Sequence, residues 1–135
     1  MNTKLLWVLR ILPAVVLLQT LYFKFSAAPE SVYIFSTMGM EPGGRLLTGV
    51  LELLAALLLL WPRFTAWGAL LGSGLMCGAL LAHFTVLGIV VMDDGGLLFF
   101  YACMVLSACT ALLALVKNNN PAMLFFRRFS QNKSV

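Results

Sequence analysis

Residues 46–61 read LLTGVLELLAALLLLW, an almost unbroken apolar run that contains one ionisable side chain, Glu52. A second apolar run, residues 65–92, contains His83 in the same way. Helices of about 20 apolar residues cross the hydrocarbon core of a bilayer. An ionisable group within such a helix is costly unless it faces protein or water and finds a partner. Glu52 and His83 are therefore the first candidate site residues of this chain.

The composition of the whole chain is that of a membrane protein. Of its 135 residues, 61% are hydrophobic and 10% are charged, and the mean hydropathy is +0.97. A water-soluble domain of this size cannot bury so much apolar surface. We therefore expect an all-α fold, an integral membrane four-helix bundle surrounded by the lipid bilayer.

Four membrane spans are predicted from the apolar runs and the helix breakers between them, at residues 5–23, 44–61, 65–91 and 97–116. Residues 24–45 are too polar to span. Within them, Val32, Phe35 and Met38 recur at helical spacing, so we expect a short interfacial helix between spans 1 and 2. Residues 1–117 are predicted to form the transmembrane domain, and residues 118–135 a basic, aromatic cytoplasmic tail.

Small side chains within the spans are expected to serve helix packing. Glycines and one alanine recur every four residues along the third span, in two rows. Such rows let helix backbones approach closely in lipid. The rows are Gly68 with Gly72, and Gly74 with Gly78 and Ala82. The three cysteines form no CxxC motif and are expected to pack as small hydrophobic side chains.

The distribution of basic residues predicts the orientation of the chain. One side of the predicted bundle holds Lys4, Arg10, Arg63, Lys117, Arg127, Arg128 and Lys133, whereas the other holds only Lys24 and Arg45. Lys and Arg stay on the cytoplasmic side, so both termini are expected to be cytoplasmic. Lys24 and its aromatic neighbours stand where a cleaved signal peptide needs small, polar residues, so the first span is expected to remain. The net charge of +4 forms no basic face, and nucleic acid is not an expected partner.

Polar residues from all four spans fall in the same outer half of the bundle at a rise of about 1.5 Å per residue. They are Gln19, Lys24, Arg45, Glu52, His83 and Tyr101. We expect these six to line a ligand-binding pocket that opens outward, in which Glu52 and His83 exchange protons near neutral pH. The alternative is that Arg45, Lys24 or His83 neutralises Glu52, and that the set only fixes the helix register. No catalytic residue is assigned, and no metal is expected because one histidine and scattered carboxylates match no known ligand spacing.

Short motifs in a fixed order give the chain a family resemblance. They are Lys24-Phe25 at the end of span 1, Gly49-Val50-Leu51-Glu52 in span 2, Pro62-Arg63 after it, residues 82–88 (AHFTVLG) in span 3, and Asp94-Gly95-Gly96 before span 4. In this order, from about Arg10 to Val116, the chain resembles the DoxX or DoxX-like family of small four-helix membrane proteins.

The resemblance implies a protein of the bacterial inner membrane, in a family where some members are associated with quinone-linked oxidation of thiosulfate or thiols. No covalent cofactor is expected. Because the sequence has no paired cysteines and no cofactor motif, the resemblance favours a membrane subunit that presents a quinone-sized pocket to a membrane protein partner or a second copy. Whether the chain is itself an enzyme stays open. The alternatives are a non-catalytic scaffold or assembly factor and, third, a small transporter or proton path.

Overall fold

The helical elements of the protein follow the order of the apolar runs. The computed structural model describes residues 3–119, with the side chains of residues 3–116. The elements are α1 (Thr3–Phe25), α2 (Pro29–Thr37), α3 (Gly43–Leu60), α4 (Thr65–Ala82), a π-helical turn (His83–Leu87) and α5 (Leu97–Asn119). Four of these segments are long and apolar enough to cross a membrane: α1, α3, α4 with its π-turn, and α5. The predicted all-α membrane four-helix bundle is confirmed, and the tail from residue 120 onward lies outside the described residues.

The third span ends earlier than its composition predicts. Its last helical residue is Leu87, and Gly88 leaves the helix with φ of +74°, a left-handed conformation that glycine adopts readily. Residues 89–91 are as apolar as the helix before them, so a hydropathy pattern cannot distinguish them from it. The predicted end at residue 91 is therefore wrong by four residues. α5 in turn continues to Asn119, three residues beyond its predicted end.

The four long helices form a ring in the order α1, α3, α4, α5, in which α5 also contacts α1. Its centre is filled by small and aliphatic side chains, among them Ala14, Leu17, Ala55, Leu59 and Val105. α2 lies across one end and contacts α1, α3 and the π-turn. We call this the α2 end of the bundle. The interfacial helix predicted between the first two spans is thus present as α2.

Only one of the two predicted glycine rows packs against a helix. A Cβ atom at Gly68 would lie 2.5 Å from the backbone nitrogen of Leu59, and one at Gly72 would lie 3.0 Å from the Cys109 sulfur. These glycines therefore allow α4 to approach α3 and α5 closely. A Cβ at Gly74 or Gly78 would meet nothing within 4 Å. Within the bundle this row makes no close helix contact, and both glycines border a cavity.

Two buried arginines join α1 to α3 reciprocally. On α1, Arg10 donates from Nε to the carbonyl oxygen of Leu59 at 2.9 Å and from Nη2 to that of Leu60 at 3.0 Å. On α3, Arg45 donates from Nη1 to the carbonyl oxygen of Lys24. The last carbonyls of a helix have no partner within it. Each helix thus supplies the arginine that satisfies the carboxyl end of the other.

Candidate functional site

A cavity of about 620 Å³ lies at the α2 end of the bundle, between the four long helices and α2. Its walls are mainly apolar side chains such as Leu17, Phe35 and Met76. Polar side chains also reach it from α1, α2, α3 and α5, from the π-helical turn after α4 and from the turn before α5. They are Gln19, Thr20, Lys24, Glu30, Ser31, Thr48, Glu52, His83, Asp94 and Tyr101. An apolar cavity with a few convergent polar groups is the usual form of a small-molecule site.

Glu52 enters the cavity from the middle of α3 as half of a buried ion pair. Its Oε2 atom lies 3.0 Å from Lys24 Nζ, and its side chain is 5% exposed. Thr20 Oγ1 lies 3.1 Å from the same Oε2 and 2.8 Å from the Leu17 carbonyl oxygen, so these two acceptors share the single hydroxyl proton. Oε1 has no hydrogen-bond partner among the described residues. The pair neutralises the charge of Glu52 and leaves one carboxylate oxygen available at the cavity wall.

His83 begins the π-helical turn and is 6% exposed. Its Nδ1 lies 2.7 Å from the carbonyl oxygen of Gly88, and its ring meets Phe99 edge-on at 5.7 Å between centroids. Because a carbonyl oxygen only accepts, Nδ1 carries the proton of this hydrogen bond. In the neutral ring, Nε2 is then the acceptor. Within the described part of the chain, Nε2 has no partner, so it is the atom that His83 offers to a ligand.

The comparison with known proteins agrees with the resemblance seen in the sequence. A model of the DoxX-like family matches residues 8–110, which is most of the chain and includes Lys24, Glu52 and His83. The chain belongs to the DoxX-like family. No curated protein and no solved structure matches it.

Arg45 is the candidate residue that the DoxX-like bundle keeps away from the cavity. It is not among the cavity-lining residues. Its Nε lies 2.8 Å from Glu41 Oε1 and 3.0 Å from Oε2, while Nη1 donates to the Lys24 carbonyl. Arg45 shares a helix face with Glu52 in the sequence, but its guanidinium is held by a nearer carboxylate and by the end of α1. It acts in the structure as a link between helices.

The other candidates of the DoxX-like chain all border the cavity. Lys24, Glu52 and His83 do so through the contacts described above. Gln19 and Tyr101 line it from α1 and α5, and Gln19 is the more exposed of the two. Within residues 3–119, no group of three His, Cys, Asp or Glu side chains is placed to hold a metal ion.

Asp94 is a cavity residue that the sequence analysis did not select. Its Oδ1 accepts hydrogen bonds from the Val91 and Gly96 N–H groups at 3.0 and 2.8 Å, and its Oδ2 accepts from Leu98 N–H at 3.1 Å. Burial alone would raise the pKa of Asp94, but these three hydrogen bonds and the nearby His83 outweigh it and lower that pKa below its ordinary value. Asp94 is therefore an anion that shapes the turn before α5. The sequence signal that could have identified Asp94 is its position before two glycines and the start of an apolar helix.

Glu30 is the second acidic cavity residue that sequence reasoning missed. It lies in the first turn of α2, and no ion pair or hydrogen bond involves its side chain within residues 3–116. The first turn of a helix favours a carboxylate because of the helix dipole. In the sequence, the helix dipole therefore accounts for Glu30 without any role in a site. Only the position of α2 over the bundle shows that Glu30 borders the cavity.

Proposed function

We propose that this DoxX-like protein is a membrane component of a quinone- or thiol-linked redox system and that its cavity binds a quinone. The observation that carries the proposal is the combination of an apolar cavity with two proton acceptors, Glu52 Oε1 and His83 Nε2, that have no partner among the described residues and suit the O–H groups of a reduced quinone. Glu52 and Lys24 stand on α3 and α1, and His83 stands at the end of α4. Polar groups from different helices can thus engage both ends of one ligand.

The residues present fit a quinone in size and chemistry. A volume of about 620 Å³ falls within the range of roughly 300 to 1,000 Å³ that is usual for small-molecule sites. The apolar walls suit a substituted ring and part of its hydrocarbon tail. The oxygens of the ring require a few fixed polar partners. Tyr101 and Lys24 can donate to ring carbonyls, whereas Glu52 and His83 can accept from the hydroxyl groups of the reduced form.

The chain's own part in this proposal is binding and the placement of protons. A bound quinone supplies two-electron redox chemistry coupled to two protons. Lys24 keeps Glu52 in place, and the Gly88 carbonyl fixes which nitrogen of His83 faces the cavity. Glu52 and His83 then hold or receive protons next to the ligand. Electrons would come from a membrane protein partner, or from a partner site on a second copy of the chain.

The positive-inside rule completes the proposal with an orientation. Arg10 and Arg63 lie at the end of the bundle opposite α2, and Lys24, Glu30 and Glu41 lie toward the α2 end. With both termini cytoplasmic, the cavity would open at the outer side of a bacterial inner membrane. Ligand would then enter from the lipid or from the outer surface.

Native mass spectrometry of the detergent-purified protein tests the proposal. We expect wild type to retain a quinone or its reduced, hydroquinone form. Glu52→Gln and His83→Ala should lose the hydroquinone, because each removes an acceptor that has no partner among the described residues and that suits a ligand O–H group. Glu41→Gln is the matched control for Glu52, since it removes a paired carboxylate outside the cavity. Thr85→Ala is the control for His83, because Thr85 is exposed and lies in the same turn.

The outcome separates the proposal from the scaffold alternative. Far-UV circular dichroism and gel filtration confirm that each variant remains folded. Retention by wild type and both controls, with loss from both cavity variants, supports quinone binding. If quinone and hydroquinone are each added and none of the folded proteins retains either form, the cavity is not a quinone site, and a non-catalytic scaffold is the function to test next.

A further inference from the structure

We infer that the cavity prefers the reduced, hydroxyl-bearing form of its ligand, a lipid-soluble hydroquinone, over the oxidised quinone. This inference rests on the proposed function, because it specifies which redox form the proposed site binds. It follows from the hydrogen-bonding capacity that the cavity's polar side chains retain once their contacts within the protein are made.

The strongest unpaired groups of the cavity are acceptors. Glu52 uses Oε2 for Lys24 and Thr20, which leaves Oε1 without a partner among the described residues. His83 uses its Nδ1 proton for the Gly88 carbonyl, which leaves the Nε2 lone pair. Glu30 adds a carboxylate with no described partner. None of these atoms has a proton to donate while Glu52 and Glu30 are ionised and His83 is neutral.

The donor-only groups of the cavity are fewer. Lys24 is the single ammonium among the lining residues; one of its three N–H donors serves Glu52, and two remain. Asp94, a third carboxylate, already accepts three hydrogen bonds from backbone N–H groups. The lining side chains therefore include three carboxylates and one ammonium. The amide of Gln19 and hydroxyl side chains such as that of Tyr101 both donate and accept, so they serve either form of a ligand and do not discriminate.

The two forms of a quinone differ in the property that this cavity would sense. A hydroquinone presents two O–H donors, whereas a quinone presents two carbonyl oxygens that only accept. O–H groups placed against Glu52 Oε1 and His83 Nε2 form hydrogen bonds, and the bond to the carboxylate is charge-assisted. Carbonyl oxygens in the same positions face acceptors and leave buried groups unpaired, which is unfavourable. Discrimination by a missing hydrogen-bond donor is stronger than discrimination by ligand size.

Paired titrations in detergent test the preference. A decyl-substituted benzoquinone and the corresponding hydroquinone, the latter kept anaerobic, are each titrated into purified wild-type protein and quantified by native mass spectrometry. We expect the hydroquinone to bind at least about tenfold more tightly, because it gains a charge-assisted hydrogen bond that the quinone lacks. Equal affinity, or tighter binding of the quinone, overturns the inference and leaves the proposed function intact. Binding of neither form overturns both.

Variants identify the groups responsible for the preference. Glu52→Gln places an amide donor where Oε1 accepts, so we expect the affinity ratio to fall toward one. Glu30→Gln also replaces an acceptor with an amide donor, here on α2, and the Glu30 side chain has no partner among the described residues. If Glu52→Gln does not fold, the affinity ratio of Glu30→Gln tests the inference. Glu41→Gln, outside the cavity, is expected to keep the wild-type ratio. A wild-type ratio in both folded cavity variants would show that these acceptors do not select the ligand, and would overturn the inference.

Discussion

Removing either partner of the ion pair between Lys24 and Glu52 should destabilise the bundle, whereas removing both should not. The two side chains are 14% and 5% exposed, and 3.0 Å separates Lys24 Nζ from Glu52 Oε2. Loss of one partner from a buried pair costs about 3 to 5 kcal/mol, because the other charge stays buried without compensation. The pair borders a cavity that admits water, so we expect the lower end, about 3 kcal/mol, for Lys24→Met or Glu52→Leu. The double variant should lie within about 1 kcal/mol of wild type.

The free energy of unfolding is measured by titrating sodium dodecyl sulfate into mixed micelles and following helicity by circular dichroism. Asp93→Asn is the control, because Asp93 is exposed and no ion pair or hydrogen bond involves its side chain within residues 3–116, so its loss should change the free energy of unfolding by less than about 1 kcal/mol. The reasoning is refuted if either single variant lies within about 0.5 kcal/mol of wild type. It is refuted equally if the double variant is as unstable as additive single effects require.

Three further predictions concern the frame around the cavity. Arg10→Met removes two hydrogen bonds to the end of α3. It should lower the free energy of unfolding by about 2 to 3 kcal/mol in the same titration. An unchanged free energy of unfolding would contradict the role of Arg10 in capping α3. Gly68→Ala places a methyl group 2.5 Å from the Leu59 backbone nitrogen and should lower the free energy of unfolding by about 2 kcal/mol. Gly74→Ala should leave it nearly unchanged, because a methyl group there meets nothing within 4 Å. Equal effects of the two variants would contradict the packing of α4 described above. The pKa of Asp94 is lowered from 3.8, so its carboxylate stabilises the fold above that pH and loses this effect as pH falls through the lower folded value. Asp94→Asn should therefore flatten the loss of stability below about pH 4 relative to wild type, and an identical pH profile would refute the assignment.

The membrane fold could be predicted from the sequence because a bilayer imposes a simple requirement. Each span must be a continuous apolar helix with its backbone hydrogen bonds satisfied internally. Pro62-Arg63 and Asp94-Gly95-Gly96 interrupt the apolar runs, so the number and order of the spans followed directly. The end of the third span did not follow, because Gly88 turns the chain while the apolar composition continues to residue 91. Hydropathy reports the environment of a segment and is insensitive to its backbone conformation.

The candidate site was predictable in its depth but not in its contacts. Helical rise placed Lys24, Glu52 and His83 near the same end of the bundle, and the structure sets all three around one cavity. Arg45 shares the same depth, but it turns toward Glu41 and the carboxyl end of α1. Sequence spacing gives the helix face on which a side chain begins, whereas a long side chain ends where its strongest partners lie. Those partners include backbone carbonyls, which no sequence pattern displays.

The reciprocal arginines explain how a polar site can sit in an otherwise apolar bundle. Arg10 on α1 binds Leu59 on α3, and Arg45 on α3 binds Lys24 on α1. The two residues on α1 are 14 positions apart, and so are the two on α3. The two links thus stand about 21 Å apart along the helix pair, and both require the same antiparallel register. A shift of one helix along the other would break both links at once. Glu52 lies between them, so Lys24 and Thr20 face its carboxylate because the register is already set. The arginines maintain the frame, and Glu52 Oε1 is left available at the cavity.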